Sequence, residues 1–305
     1  MISLIYPFAL LASGITANKM ILKELPAILF VGVRMLPAGL ILLTLLFWRK
    51  RSLGFLRKVK DQYGLFVVAI LFTTFFPALC KAYALKHTLS SKVALIGSLD
   101  PFITAIYVYF IFGEKLTLNR LVGILLGFTG SVILVMYHGG GGHSFELFGF
   151  LTLAELAAFG SVALSRFGWI YVQKILRTGK FSPMEINSVT MLVGGLLALV
   201  TAMSVGETGM GEGIFSPKVL LLLSYTIMIG NVVGYTLYAR LLKQYSSTFV
   251  ALSGFTVPFF VYLFGWLFLN EPLYASFFIS AGVTFVGLLI FYRDEIKTVL
   301  HKKSL

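Results

Sequence analysis

Ten long apolar runs, separated by short polar connections, set the strongest limit on what this chain can fold into. Each run is about 20 residues long, enough for a helix to cross a hydrocarbon core of ~30 Å. The runs do not alternate with a period of two residues, and a lipid-exposed backbone must satisfy its own hydrogen bonds. The sequence therefore predicts ten transmembrane helices, over residues 2–22, 27–48, 63–85, 92–112, 118–138, 147–173, 184–205, 217–240, 248–269 and 273–292.

The composition agrees with a chain that lies almost entirely in the membrane. Hydrophobic residues make up 58% of the 305 residues and charged residues 12%, against about 25% charged residues in a soluble domain. Ten spans use most of this length, so a separate soluble domain or enzyme module is not expected. The first run lacks a preceding basic region and a clear cleavage site, and is interpreted as a retained span. The single cysteine, Cys80, excludes an intrachain disulfide.

Basic residues are concentrated in alternate connections and predict the orientation. With a cytoplasmic N-terminus, the basic connections and the basic tail all fall on the cytoplasmic side, as the positive-inside rule requires. Lys23, Lys86 and Lys92 are mild exceptions. We expect a multi-pass protein of the plasma (inner) membrane, with the lipid bilayer as its partner and both termini cytoplasmic. The loops also explain the formal net charge of +13, so nucleic acid is not an expected partner.

The stretch from Ser90 to Tyr137 recurs as Ser247 to Asp294, at an offset of about 157 positions and without a gap. The chain is therefore predicted to contain two copies of one unit. Five spans per copy is an odd number, so the second copy enters the membrane from the opposite face, as in many secondary transporters. The predicted division is a first repeat over 1–138, a glycine-rich connection over 139–146, a second repeat over 147–293 and a basic cytoplasmic tail over 294–305.

Prolines, glutamates and glycines recur at matching positions of the two copies. The first copy has Pro101, Glu114-Lys115-Leu116-Thr117, Gly123, Gly127 and Gly130, and the second has Pro258, Asn270-Glu271-Pro272-Leu273, Gly282 and Gly287. With Pro26 and Arg34 in the second span, this pattern resembles the EamA family of the drug/metabolite transporter superfamily, over essentially the whole chain. The resemblance implies an all-α membrane protein with ten transmembrane helices in two inverted five-helix EamA repeats. It also implies a carrier, commonly an exporter of amino acids or related metabolites, with a central cavity between the repeats. Asp100 departs from the apolar or small residue usual before this proline.

Few ionisable side chains lie inside the predicted spans, and each is a candidate for binding substrate. Inserting such a side chain at the centre of a span costs about 2.5–3.5 kcal/mol. Counting along the helices at ~1.5 Å per residue places Arg34, Lys81, Asp100 and Glu155 in the same outer half of the membrane. Asn18 and Lys19 lie near the outer end of the first span. A buried carboxylate could also carry a proton in exchange.

Helical spacing groups these residues with other polar side chains on four spans. The predicted faces are Gly97, Asp100, Thr104 and Tyr107; Thr74, Pro77 and Lys81; Glu155, Phe159, Val162 and Arg166; and Asn231, Tyr235 and Tyr238. Arg166 is predicted to lie near the cytoplasmic end and is left outside the site, while Glu114 and Glu271 are interpreted as holding a turn or a gate. The predicted substrate-binding residues are Asn18, Lys19, Arg34, Thr74, Lys81, Asp100, Tyr107, Glu155, Asn231, Tyr235 and Tyr238.

A carboxylate together with basic groups favours an amino acid or a similar zwitterion as the transported molecule. The alternative is a broad exporter of drugs and other hydrophobic cations, with the 29 phenylalanines supplying an apolar cavity. An enzyme is not expected, because no HExxH, GxSxG or histidine pair lies within a span. No cofactor or metal site is predicted. The sequence has no ATP-binding loop, so transport is expected to draw on proton or counter-substrate coupling.

Overall fold

The fold consists of helices over the residues that the computed structural model describes, namely 2–48, 54–113, 117–137, 152–207, 209, 216–244, 250, 254, 257–272 and 274–293. Within these ranges no strand occurs. The helices are α1 (Ile2–Ile21), α2 (Ala27–Trp48), α3 (Phe55–Asp61), α4 (Tyr63–His87), α5 (Ser90–Gly97), α6 (Asp100–Phe112), α7 (Leu118–Tyr137), α8 (Leu153–Arg177), α9 (Pro183–Val205), α10 (Pro217–Gln244), α11 (Val257–Leu269) and α12 (Ala275–Phe291).

The helices have the length and composition of membrane spans. Among the described residues, six segments are long and apolar enough to cross a bilayer: α2, α4, Ser90–Ile111 (α5 with most of α6), α8, α9 and α10. Shorter apolar helices follow at Phe8–Ile21, Leu118–Gly130, Val257–Leu269 and Ala275–Phe291. The described residues are thus all-helical in their regular structure, as expected of a multi-pass membrane protein. The glycine-rich connection and the basic tail lie outside the described residues.

Both predicted boundaries of the sixth span are wrong. The sixth span was expected over 147–173, but α8 begins at Leu153 and ends at Arg177. Its start is fixed by a capping box, in which the Thr152 hydroxyl accepts from the Glu155 amide and the Glu155 carboxylate accepts from the Thr152 amide. This reciprocal pair satisfies two amides that the helix itself cannot pair. Glu155 therefore lies in the first turn of α8 rather than in mid-span.

The helix that carries Asp100 is broken in the middle. Between α5 and α6, Ser98 and Leu99 form a turn, and their amides donate back to Leu95 and Ile96. Pro101 favours this break because it lacks an amide hydrogen and fits the first turn of a helix. Asp100 consequently lies at the N-terminus of α6, where the helix dipole stabilises a negative charge.

Two helices contain π-helical segments at matching positions. They are Ile70–Phe75 in α4 and Thr226–Tyr235 in α10, and the offset of about 157 positions found in the sequence superimposes the first on the second. A π turn inserts an extra residue and rotates the side chains that follow it. The helical faces of α4 and α10 therefore cannot be read from regular α-helical spacing alone.

Glycines allow pairs of helices to approach closely. A Cβ on Gly39 of α2 would lie 2.5 Å from the Leu192 amide nitrogen of α9, and one on Gly123 of α7 would lie 2.6 Å from the Gly287 carbonyl oxygen of α12. Any larger side chain would push these backbones apart. Gly123 therefore lies on a helix-packing face. The main contacts join α2 with α9, α7 with α12, α4 with α8 and α9, and α1 with α10 and α11.

Candidate functional site

A cavity of about 200 Å³ lies in the centre of the helix bundle. Its wall is formed by α1, α2, α4, α5, α6, α8 and α10, together with the start of α11. Seven predicted residues line it: Asn18, Arg34, Lys81, Asp100, Asn231, Tyr235 and Tyr238. The polar and charged groups that were predicted on separate spans are thus brought together in one space.

An ion pair crosses the cavity from α6 to α8. The Nε atom of Arg166 lies 3.2 Å from Oδ1 of Asp100, and the same guanidinium donates a hydrogen bond to the hydroxyl of Tyr238 on α10. Arg166 was predicted near the cytoplasmic end because the sixth span was expected to stop at residue 173. The helix continues to Arg177, which places Arg166 about one turn deeper than the sequence suggested.

Two further cations, Arg34 and Lys81, line the cavity without an ion-pair partner among the described residues. Among the described residues, no carboxylate lies within ion-pair distance of the Arg34 guanidinium or the Lys81 ammonium. Arg34 is 9% exposed, stacks on the Phe30 ring at 5.0 Å, and its Nε atom has no hydrogen-bond partner among the described residues. Lys81 is close enough to Arg34, Asp100 and Arg166 to interact electrostatically with each.

Two buried asparagines add free polar groups to the same wall. The Asn231 side-chain nitrogen donates to the Met35 sulfur at 3.0 Å, a weak acceptor. The side-chain oxygens of Asn231 and Asn18 have no donor among the described residues. Buried polar atoms normally have a partner, so these two oxygens are unsatisfied hydrogen-bond acceptors among the described residues.

Four aromatic side chains form the end of the cavity opposite Asn18. The Trp169 ring lies 4.6 Å from that of Tyr238 and 5.7 Å from that of Tyr235, and Phe8 contacts the Tyr238 ring edge-on at 6.5 Å. We call Phe8, Trp169, Tyr235 and Tyr238 the aromatic cluster; all four line the cavity. The sequence prediction omitted Trp169, although it follows Arg166 by three positions on the same helical face.

Two predicted residues face neighbouring helices instead of the cavity. The Thr74 hydroxyl donates to the carbonyl of Ile70 at 2.8 Å and lies 2.8 Å from that of Thr190 in α9. The π segment moves Thr73 onto the cavity wall in its place. Tyr107 packs against the Phe167 ring at 5.7 Å. The break between α5 and α6 also interrupts the polar stripe predicted along the fourth span.

Two ion pairs lie just beyond one end of the cavity and involve the remaining predicted residues. Lys19 contacts Glu271 at 2.7 Å, and Lys92 pairs with Glu155. Lys19 on α1, Lys92 on α5 and Glu155 on α8 each lie within about one helical turn of a residue that lines the cavity. The pairs therefore join helices of the bundle across this end, where Lys19 and Glu155 have structural partners of their own.

Glu271 also fixes the start of α5. Its carboxylate accepts from the amides of Ser90 at 2.8 Å and Ser91 at 3.3 Å, in addition to the Lys19 ammonium. Burial alone would raise the pKa of Glu271, but the hydrogen bonds from Lys19 and Ser90 outweigh it and hold the pKa below its ordinary value. This geometry agrees with the interpretation of Glu271 as a residue that holds a turn or a gate. Its counterpart Glu114 lies outside the described residues.

Comparison with known proteins gives consistent matches over the whole chain. The family model described as the EamA-like transporter family matches residues 1–136 and 152–293. A protein named S-adenosylmethionine/S-adenosylhomocysteine transporter, from Chlamydia muridarum (strain MoPn / Nigg), is 26% identical over 94% of this chain and 89% of its own. An uncharacterized inner membrane transporter of Escherichia coli (strain K12), YedA, is 24% identical over 87% and 81%.

A solved structure has the same fold. It superimposes with a TM-score of 0.67 over 94% of both chains, at 16% sequence identity. At this level of sequence identity the likeness concerns the fold alone.

Proposed function

Because the chain belongs to the EamA-like transporter family, we propose that it is a secondary transporter that moves zwitterionic, amino-acid-type metabolites by alternating access through the central cavity. The observation that carries this proposal is the charge arrangement of the cavity wall. Asp100 can accept a substrate ammonium, and Arg34 and Lys81 can donate to a substrate carboxylate. Amino acids present both groups on one carbon.

The aromatic cluster extends the proposal to larger members of this class. S-adenosylmethionine and S-adenosylhomocysteine, the compounds in the name of the chlamydial relative, combine an amino-acid group with a planar base. Trp169, Tyr235 and Tyr238 offer ring surfaces on which such a base can stack. Both compounds are therefore candidate substrates beside simple amino acids.

For alternating access we propose an architecture of two inverted five-helix repeats, over 1–138 and 147–293, with ten spans in all. The described contacts support it. If each helix is replaced by its equivalent in the other repeat, the α2–α9 and α7–α12 contacts stay the same, and the α4–α8 contact becomes the α1–α10 contact, which is also present. The matching π segments support it as well. In such a carrier the cavity opens alternately to the two sides as the repeats rock against each other.

The charge balance of the cavity argues against the alternative of a drug and hydrophobic cation exporter. Three cations, Arg34, Lys81 and Arg166, face one carboxylate, Asp100. A lipophilic cation without an anionic group would be repelled by this surplus. The direction that we propose is export, with both termini cytoplasmic and a proton or a counter-substrate moving in exchange.

Counterflow in liposomes tests the proposal. Purified protein is reconstituted with an unlabelled candidate inside, and uptake of the same labelled compound is followed for amino acids, S-adenosylmethionine, S-adenosylhomocysteine and a lipophilic cation. We expect accumulation of at least one zwitterion, reduced more than tenfold by Asp100→Asn but unchanged by Lys58→Gln, which alters an exposed lysine far from the cavity. Transport of the lipophilic cation alone would refute the proposal.

A further inference from the structure

We infer that Arg34 and Lys81 form a subsite for an anionic group of the transported molecule, and that this subsite makes the carrier favour substrates with an additional negative charge. The inference rests on the proposed function, since it names the substrate class that the same cavity would take. It starts from the two cations that the wall of the cavity leaves without counter-charges.

The described carboxylates within the bundle are all engaged elsewhere. Asp100 pairs with Arg166, Glu155 with Lys92 and Glu271 with Lys19. Glu185 caps the start of α9 and Glu207 accepts from the Ile28 amide at 3.0 Å. Apart from Asp100, which pairs with Arg166 and also interacts electrostatically with Lys81, the described residues contain no acid in the bundle core that could neutralise Arg34 or Lys81.

The surroundings of Arg34 show a donor prepared for a ligand. Its guanidinium carbon lies over the Phe30 ring, 5.0 Å from the ring centroid, and its buried Nε atom has no acceptor among the described residues. A planar guanidinium presents parallel donors that match a carboxylate or a phosphate. The Lys81 ammonium adds a second donor from α4.

Charge counting then gives the substrate class. With Asp100 set against Arg166, the described lining residues leave two positive charges, on Arg34 and Lys81. A zwitterion contributes no net charge, whereas an acidic amino acid or a phosphorylated one contributes one or two negative charges. Because charges attract strongly in a site of low dielectric, the more anionic member of an otherwise matched pair should bind more tightly.

Two matched pairs of compounds test this preference in the purified full-length protein. Glutamate and glutamine are nearly isosteric and differ by one negative charge; S-adenosylhomocysteine and S-adenosylmethionine differ by a methyl group and the positive charge of a sulfonium. We expect the more negative member of each pair that binds to do so about tenfold more tightly at constant ionic strength. Equal affinities within both pairs would overturn the inference.

Variants assign the preference to the two side chains. Arg34→Gln and Lys81→Gln should bring the affinity ratio within each pair close to one, whereas Lys58→Gln should leave it unchanged. Arg34→Lys and Lys81→Arg keep the charge and should preserve most of the ratio if the neutral variants fold poorly. A ratio that persists in both neutral variants would contradict the assignment.

A melting experiment with inorganic phosphate distinguishes failure of this inference from failure of the proposed function. At constant ionic strength, phosphate should raise the melting temperature relative to gluconate, and Arg34→Gln should abolish the difference. If none of the four organic compounds binds but phosphate still stabilises, the amino-acid proposal fails while the anion subsite stands. If an organic substrate is transported but phosphate and substrate charge have no effect, the subsite fails alone. If phosphate binds but the substrates show no charge preference, the anion subsite does not bind the transported molecule and the inference fails.

Discussion

Asp100 holds together three elements at the centre of the cavity. It starts α6, neutralises Arg166 on α8 and, through Arg166, connects to Tyr238 on α10. Lys81 lies in the same cavity without an ion pair among the described residues. One charge is thus compensated within the fold and the other is not, and this difference gives opposite expectations for their removal.

Neutral substitutions at these two positions should change stability in opposite directions. Asp100→Asn leaves Arg166 uncompensated and should lower the free energy of unfolding by about 2 kcal/mol, somewhat less than the ~3–5 kcal/mol of a fully buried pair. Lys81→Met removes an unpaired charge from the bundle and should leave stability unchanged or raise it. Thermal unfolding in detergent without substrate provides the measurement, with Lys58→Gln as the control. A loss of stability in Lys81→Met equal to that in Asp100→Asn would contradict this account.

At the scale of the elements, the ends and irregularities of the helices determine which side chains line the cavity. The break before α6 gives Asp100 a helix N-terminus, and the π segment of α4 moves Thr73 rather than Thr74 onto the wall. Glu271 joins the loop before α12 to α1 and α5. Glu271 thereby makes the end near Lys19 a junction between helices.

The junction at Glu271 should lose its contribution to stability in acid. A carboxyl group whose pKa is lowered in the folded protein stabilises the fold at pH values above its ordinary range, and this stabilisation is lost as the pH falls through the lowered pKa. Glu271→Gln should therefore cost about 2 kcal/mol at pH 7, from the loss of charge-assisted hydrogen bonds, and progressively less as the pH falls through the lowered pKa of Glu271.

Melting temperatures of the parent and of Glu271→Gln between pH 3 and pH 8 measure this effect. Glu24→Gln is the matched control, because Glu24 is exposed in the connection after α1. Parallel curves for the parent and Glu271→Gln across the whole pH range would show that the carboxylate contributes nothing to the junction.

At the scale of the whole molecule, the positive charges and the repeat together suggest how the bundle lies in the membrane. The connection between α8 and α9 is basic, while Lys23 lies in the short connection between α1 and α2. With an N-terminus in the cytoplasm, these two connections face opposite sides. The orientation stays a prediction from the positive-inside rule.

Cysteine labelling in intact cells would establish the orientation. In a Cys80→Ala background, Lys180→Cys should react with an impermeant maleimide only after the membrane is opened, because it is expected on the cytoplasmic side. Lys23→Cys, in an exposed position of the other connection, should react without opening. Reversed accessibility of the two positions would place the termini outside.

The sequence by itself determined the helical fold, most helix boundaries and the family, because long apolar runs in lipid leave the backbone only helical hydrogen bonding and the repeated residues are local in sequence. It also predicted seven residues of the cavity wall. Only the tertiary structure decided which charges meet. Arg166 reaches Asp100, Lys19 reaches Glu271, and Arg34 and Lys81 stay without counter-charges among the described residues. These pairings depend on helix rotation and helix ends, which a π segment, a broken helix and a capping box shift away from regular spacing.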